Sequence, residues 1–495
     1  MELQFKKDLW AYLDTVLQEV QNTEQTLEMR LPEGLPDVGR ILGAWGQPML
    51  RSKEWRMGVV SLSGGMSLWV LYAPEDGTQP RCLDGWIPFQ IRWQLPEDVP
   101  EGNVRIRLMP RFVDGRTVSA RKIMVRAGIA AMAQALCPRE MEIYSPDGET
   151  EDVELLHHTY PIRLFREAGE KSFLLDEELE LPPSAPEPEK LLYYRFQPTV
   201  TEQKVMGNKL VFKGFGNLHL LCLSEEGRMF SWKFDLPFQQ FAELDQSHSP
   251  DSRGDVVLCV TSGEVELDEE GHFRVKCGFV AQYAVEDQTL LELTEDGYSP
   301  CREVTLHSRV LDLPAILETR TDSLSGEQNL PGVAGEIADI QCLPEFPRQY
   351  RTEKGIGLDL PTSVHVLYYG EDGALSSASA RWEARMELPA DGQSQVFAMP
   401  GLPEAQILPG SVKLEVPIQM TVTGNQGLSM VTGVELGERK QPDAHRPSLI
   451  LKRAGEADLW RIAKESNSTV SEIRKANALD SDPIPGQMLL IPVRG

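Results

Sequence analysis

Three acidic turns, each closed by a glycine, recur along this chain at near-constant spacing, and they restrict its fold more than any other feature. They are Glu75-Asp76-Gly77, Glu225-Glu226-Gly227 and Glu371-Asp372-Gly373, with glycines 150 and 146 residues apart. Each follows a short apolar run: Leu68-Trp69-Val70-Leu71-Tyr72, Leu218-His219-Leu220-Leu221-Cys222 and Val364-His365-Val366-Leu367-Tyr368. A Pro-Phe pair follows two of the turns, at Pro88-Phe89 and Pro237-Phe238. A later strand is expected to end in glycine in each copy, at Gly128, Gly278 and Gly433, which lie 51, 51 and 60 residues beyond the turns. A Leu-Pro lead-in also recurs, at Leu31-Pro32, Leu181-Pro182 and Leu330-Pro331. A repeat this long exceeds any solenoid unit, so each copy needs its own core.

The residues between these marks alternate with period two, as in Val104-Arg105-Ile106-Arg107-Leu108 and Val412-Lys413-Leu414-Glu415-Val416. That is the period of half-buried strands, and acidic-glycine pairs are good turn formers. The fold class expected is mainly β: three tandem antiparallel sandwich-like modules plus a small βααβ domain at the C-terminus. The modules are expected over 31–170, 175–322 and 325–438, joined by exposed connections, with the C-terminal unit over 447–494. The one helix expected in the body is residues 5–20, within an N-terminal segment 1–30. Phe5, Leu9, Tyr12, Leu13, Val16, Leu17 and Val20 have the spacing of one helical face.

Charge narrows the function classes. The chain carries 49 Lys+Arg against 75 Asp+Glu, a net −26, which disfavours binding to a phosphate backbone. The stretch from Pro447 to Gly495 holds seven basic and six acidic residues, so it is +1 and the rest is −27. A near-neutral tail on an acidic body suggests a separate unit with its own binding task. The N-terminus lacks the apolar core of a signal peptide, no stretch reaches the length of a membrane span, and a cytoplasmic protein is expected. Seven scattered cysteines without a CxxC fit reduced, buried thiols. No Walker loop, nucleophile elbow or HExxH motif occurs, and the eight histidines show no metal-ligand spacing, so no enzyme, cofactor or metal is expected.

The C-terminal stretch is the most specific. Leu449-Ile450-Leu451 reads as a strand, Leu459, Ile462 and Ala463 as one face of a short helix, and Thr469-Val470-Ser471-Glu472 as a capping box opening a second. A Pro485-Gly486 turn leads to a closing strand at Leu489-Leu490-Ile491-Pro492. The runs Leu459-Trp460-x-Ile462-Ala463-Lys464, Ile473-Arg474-Lys475-x-Asn477 and Pro485-Gly486-Gln487-x-Leu489-x-Ile491-Pro492 resemble a LysM domain. The resemblance implies a groove for N-acetylglucosamine-containing glycans, peptidoglycan included, formed by Gly455, Glu456, Ala457, Asp458, Leu459, Asn477, Ala478, Leu479, Pro485 and Gly486. Where that family has Gly-Asp-Thr or Gly-Asp-Ser before Leu-Trp, this chain has Gly455-Glu456-Ala457-Asp458, longer by one and without the hydroxyl.

The body resembles SPOCS domains, through Leu31-Pro-Glu-Gly-Leu-Pro-Asp-Val-Gly-Arg-Ile-Leu42, Val70-Leu71-Tyr72 with its turn, and Ile87-Pro88-Phe89. Repeated SPOCS modules ahead of one LysM domain are similar to the SpoIVA-interacting protein L family. That resemblance implies a non-enzymatic scaffold of endospore coat assembly in the mother cell. There the LysM domain would dock onto a coat morphogenetic ATPase like stage IV sporulation protein A; the alternative is a glycan-binding protein.

Overall fold

A computed structural model describes residues 2–148, 152–333, 335–389, 394–440, 447–454, 458–479 and 481–493. The chain is mainly β, with a small C-terminal unit that holds its two helices. After β1 (Glu2–Leu3), the first repeat comprises β2 (Phe5–Arg30), β3 (Val38–Arg56), β4 (Val59–Pro74), β5 (Arg81–Gln94), β6 (Asn103–Ser119) and β7 (Lys122–Pro146). The second comprises β8 (Glu154–Leu179), β9 (Pro188–Met206), β10 (Lys209–Ser224), β11 (Met229–Glu243), β12 (Arg253–Leu267) and β13 (Phe273–Tyr298). The third comprises β14 (Arg302–Asn329), β15 (Glu336–Pro344), β16 (Arg348–Arg351), β17 (Gly355–Tyr369), β18 (Leu375–Pro389), β19 (Gln395–Pro400), β20 (Glu404–Leu408) and β21 (Ser411–Arg439).

The pairing rule is the same in each repeat. The first strand pairs antiparallel with the last: β2 with β7, β8 with β13 and β14 with β21. The penultimate strand pairs with the other edge of the last; in the third repeat that role is split between β19 and β20. The middle strands form a separate antiparallel meander: β3-β4-β5, β9-β10-β11, and β15 or β16 with β17-β18. The meander and the long-stranded sheet enclose a core. In the first repeat Leu62, Met66, Leu68, Val70 and Tyr72 of β4 meet Ile123, Val125, Ala127, Ile129 and Ala131 of β7. Alternate residues point inward along both strands, which is what the period-two pattern encodes.

The repeated glycines have one physical reason. Gly77, Gly227 and Gly373 adopt φ of 75°, 77° and 74°, a left-handed conformation that costs glycine nothing and other residues strain. Each closes a turn by donating its amide to a carbonyl three residues back, that of Pro74, Ser224 or Gly370.

Three expectations need correction. Residues 5–20 are not a helix but the first part of the 26-residue strand β2. Positions i and i+4 share a face in a strand as they do in a helix, so Phe5, Leu9 and Leu13 are consistent with both. A register shift between Thr15 and Leu17 then changes the phase, which placed Leu13 and Val16 on one apparent helical stripe. The glycines at 128, 278 and 433 do not end strands, since β7, β13 and β21 run on through them. Gly128 faces Glu24 near the end of β2, whereas Gly433 faces His307 near the start of β14, so the third is not an equivalent position.

The repeats are also not spaced along a line by exposed connections. One buried cluster draws on all three meanders: Leu42, Trp45, Trp69 and Leu71; Leu192, Tyr193, Leu221 and Leu223; and Ala338, Leu367 and Tyr369. Trp69, His219 and His365, at matching repeat positions, lie at this junction. Trp69 packs edge-on against Tyr193, His219 Nε2 sits 2.7 Å from Asp339 Oδ1, and His365 Nε2 lies 3.0 Å from the Leu42 carbonyl. A second shared cluster joins Met141 and Ile143 of β7, Leu164 and Leu291 of the second repeat, and Leu313 and Met430 of the third.

Candidate functional site

The C-terminal unit comprises β22 (Leu449–Arg453), α1 (Leu459–Ser466), α2 (Val470–Asn477) and β23 (Met488–Pro492). Its core is Ala454, Leu459, Ile462, Ala463, Ile473, Leu489 and Ile491. Both helices begin on side-chain caps. Asp458 accepts from the amide of Arg461 at 2.8 Å, and Thr469 accepts from that of Glu472 at 3.1 Å. Asn467 and Ala478 end them in the left-handed conformation, at φ 52° and 50°.

Two links hold the ends of the loops to which the resemblance assigns a groove. Gly486, at φ 92°, donates its amide to the Ala454 carbonyl at 2.6 Å, which ties the last loop to the end of β22. Asn477 donates to the Leu490 carbonyl at 2.6 Å and to the Ile473 carbonyl at 2.8 Å, and accepts from the Leu490 amide at 2.7 Å. Its amide is thus spent on joining α2 to β23, a structural role within the predicted groove set. Leu459 is likewise core rather than surface. Asp458, Ala478 and Pro485 are exposed, while Leu479 and Gly486 are half-buried at the mouth. Gly455, Glu456 and Ala457 lie outside the described residues. Sequence reasoning passed over Ile484, which is 74 % exposed beside Pro485. An apolar side chain held in water is a feature that ligand-facing surfaces share. Its amide is held by the side chain of Gln487 at 3.1 Å.

The opposite side of the unit is occupied. The Trp460 ring packs edge-on against Tyr298 at the end of β13, with centroids 4.8 Å apart. Trp460 Nε1 donates to Asp296 Oδ2 at 2.8 Å, and Lys464 Nζ donates to both Asp296 oxygens at 2.7 and 2.8 Å. Tyr298 donates its hydroxyl to the Ser468 carbonyl at 2.9 Å, and Lys440 bridges the Ser299 carbonyl and Asn467. Burial alone would raise the Asp296 pKa, but Lys464, Trp460 and the Gly297 amide outweigh it and hold the carboxyl below its usual range. The unit is therefore fixed to the second repeat by α1 and the turn after it. Ala478, Ile484 and Pro485 of the last loops are exposed.

Among the described residues, the grouping closest to a metal-ligand set is Glu178, Asp268 and His272, at the β12–β13 hairpin. Asp268 Oδ1 is already engaged by the amides of Glu270 and His272. No described helix is long and apolar enough to cross a membrane.

No curated protein and no solved structure matches the chain. Residues 454–492, the unit just described from its caps, loops and docking face, match the family model of the LysM domain.

Proposed function

We propose that the protein is a non-enzymatic binding protein whose LysM domain takes N-acetylglucosamine-containing glycan, peptidoglycan included, while the three-repeat β body holds that domain in a fixed orientation. The observation that carries this reading is the division of the domain's surface. The body takes α1 through Trp460 and Lys464, while Asp458, Ala478, Ile484 and Pro485 stay exposed. A sugar ring has an apolar face and a hydroxyl rim, and a groove with one exposed aliphatic group among backbone polar atoms matches both. The test is calorimetric titration of the full chain with chitin oligomers, paired with sedimentation on insoluble peptidoglycan. Saturable binding that Ile484→Asp weakens at least about tenfold is the expected result. Absence of binding to either glycan at about 1 mM ends this reading.

A second reading, docking onto another protein in an assembly such as the spore coat of the mother cell, is favoured by one observation. The outer face of the LysM sheet is apolar: Leu449, Leu451 and Met488 are 49, 62 and 51 % exposed. Such a patch suits a protein partner of the kind a coat morphogenetic ATPase would provide. Substitution of Leu451 by Asp should abolish recruitment in this case and leave glycan titration unchanged.

A further inference from the structure

The six-stranded sheet β12-β13-β8-β2-β7-β6 curls until its two edge strands approach one another, and the gap is bridged by side chains. Gln282, fully buried, accepts from the Ile106 amide and donates to the Ile106 carbonyl, both at 2.8 Å. Arg105 on β6 pairs with Asp255 on β12 and donates to Gln134 at 2.9 Å. The curl borders an open cavity of about 1170 Å³ whose walls come from all three repeats, with β19, β14 and β21 lining the far side.

The charges on that wall are distributed unevenly. Arg105, Arg107, Arg163 and Arg253 form one electrostatic group with Asp255 and Glu286, four cations against two anions. Arg253 lies directly across from Glu286 in the β12–β13 ladder. Of the other acids on the wall, Asp14 is 3.6 Å from Arg139, and Glu19 and Asp312 are exposed at the rim. Arg253 is exposed as well, so the less exposed part of the wall sets Arg105, Arg107 and Arg163 against Asp255 and Glu286, with Asp14 held by Arg139.

A further feature points to a missing partner. Arg107, Arg163 and Arg253 make no side-chain hydrogen bond or ion pair among the described residues. Asp255 lies deep in the protein and still keeps 47 % of its side chain accessible, as expected of a wall around open space. Burial raises the Glu286 pKa and Asp255 adds to it, while Arg163, Arg105 and Arg253 oppose the shift.

We propose that this central cavity is a binding site for a small polyanion, bearing carboxylate or phosphate groups, held by Arg107 and Arg163 with Arg253 at its exposed rim. Guanidinium forks match both oxyanions in a bidentate manner, and burial at the repeat junction strengthens each contact relative to open water. The volume accommodates a ligand larger than a single phosphate. The site is independent of the LysM groove, which lies on the outer side of a separate domain.

The test is calorimetric titration of the full chain at low ionic strength with pyrophosphate and with citrate, and with sorbitol as the uncharged control. The expected result is saturable binding of one equivalent per chain for at least one anion and none for sorbitol. Which anion binds identifies the oxyanion class. Arg107→Gln and Arg163→Gln should each weaken binding at least about tenfold, and Glu286→Gln should tighten it. Arg163 is half-buried on the wall, so its variant keeps the test open if Arg107→Gln does not fold, which circular dichroism reports. Lack of saturation by either anion below about 10 mM overturns the proposal. Binding that neither arginine variant weakens, or that Glu286→Gln fails to tighten, does the same.

Discussion

Trp460 Nε1 and Asp296 Oδ2 are 2.8 Å apart across 164 residues of sequence, and this contact joins the LysM domain to the second β repeat. The same carboxylate takes both hydrogen bonds of Lys464, so one residue of the body organises the docking face. Asp296→Ala removes an anion that neutralises Lys464 and accepts from the indole. The pair is partly exposed, so the expected cost to docking is about 1–2 kcal/mol. Hydrogen exchange should quicken over 459–467 while α2 and the β22–β23 pair stay protected; unchanged exchange over 459–467 would show that the Tyr298 contacts suffice.

Acidity should release the same contact. The Asp296 carboxyl is held below its usual range in the folded protein, so its stabilising effect is present above the ordinary aspartate pKa of about 3.9 and is lost as pH falls through the folded value. The indole N–H resonance of Trp460 should keep its docked position through neutral and mildly acidic pH. It should move only as the solution is taken below about pH 4. A shift centred near pH 6 would assign the control to another group.

Ile473 is fully buried in the LysM core, and Ile473→Ala should cost about 2–5 kcal/mol. A domain of under fifty residues has little reserve, so calorimetry should show a new low-temperature transition while the main melt of the β body is retained. Glycan binding should disappear with the domain. A single unchanged transition would mean that docking stabilises the unit beyond what its own core provides.

Gln282→Ala leaves the buried amide of Ile106 without a partner and its carbonyl with only the Cys259 thiol at 3.1 Å, and also strips Lys53 of its 2.6 Å contact with Gln282. The expected loss is about 2–3 kcal/mol, read as a lower denaturant midpoint at unchanged slope. A midpoint shift under about 0.5 kcal/mol would show that water replaces the amide there.

The thiols should be slow to react. Burial pushes Cys82, Cys222 and Cys342 up to about 12 and Cys259 up to about 11, and raises Cys137 and Cys277 as well. At neutral pH the reactive thiolate is therefore scarce. Iodoacetamide should modify Cys301 first in the native protein, and all seven cysteines only after unfolding. Rapid native labelling of Cys222 would contradict the packing of β10.

Much of the local structure was legible in the sequence. The turns at Gly77, Gly227 and Gly373 were readable because a left-handed residue must be chosen at its own position. The LysM domain was readable because its caps at Asp458 and Thr469 and its core at Ile462 and Ile473 act within a few residues of one another. β2 was misread because apolar residues four apart satisfy a helix and a strand equally, and the deciding fact, its ladder with β7, depends on residues more than a hundred positions away. Asn477 was placed with the groove by the family resemblance, whereas its three hydrogen bonds to backbone are visible only once β23 lies beside α2.

The sequence by itself determined that the chain is mainly β, where its turns fall and what its last domain is, because those depend on residue-level conformational preference and on alternation along single strands. Only the tertiary structure decided that the three repeats share buried clusters around Trp69, His219 and His365, that four arginines face one cavity, and that Asp296 holds α1. The reason is physical: a side chain's neighbours across a sheet or a domain junction are set by which strands pair and how the sheets curl. Those choices minimise the free energy of the whole chain, and no short window of sequence contains them.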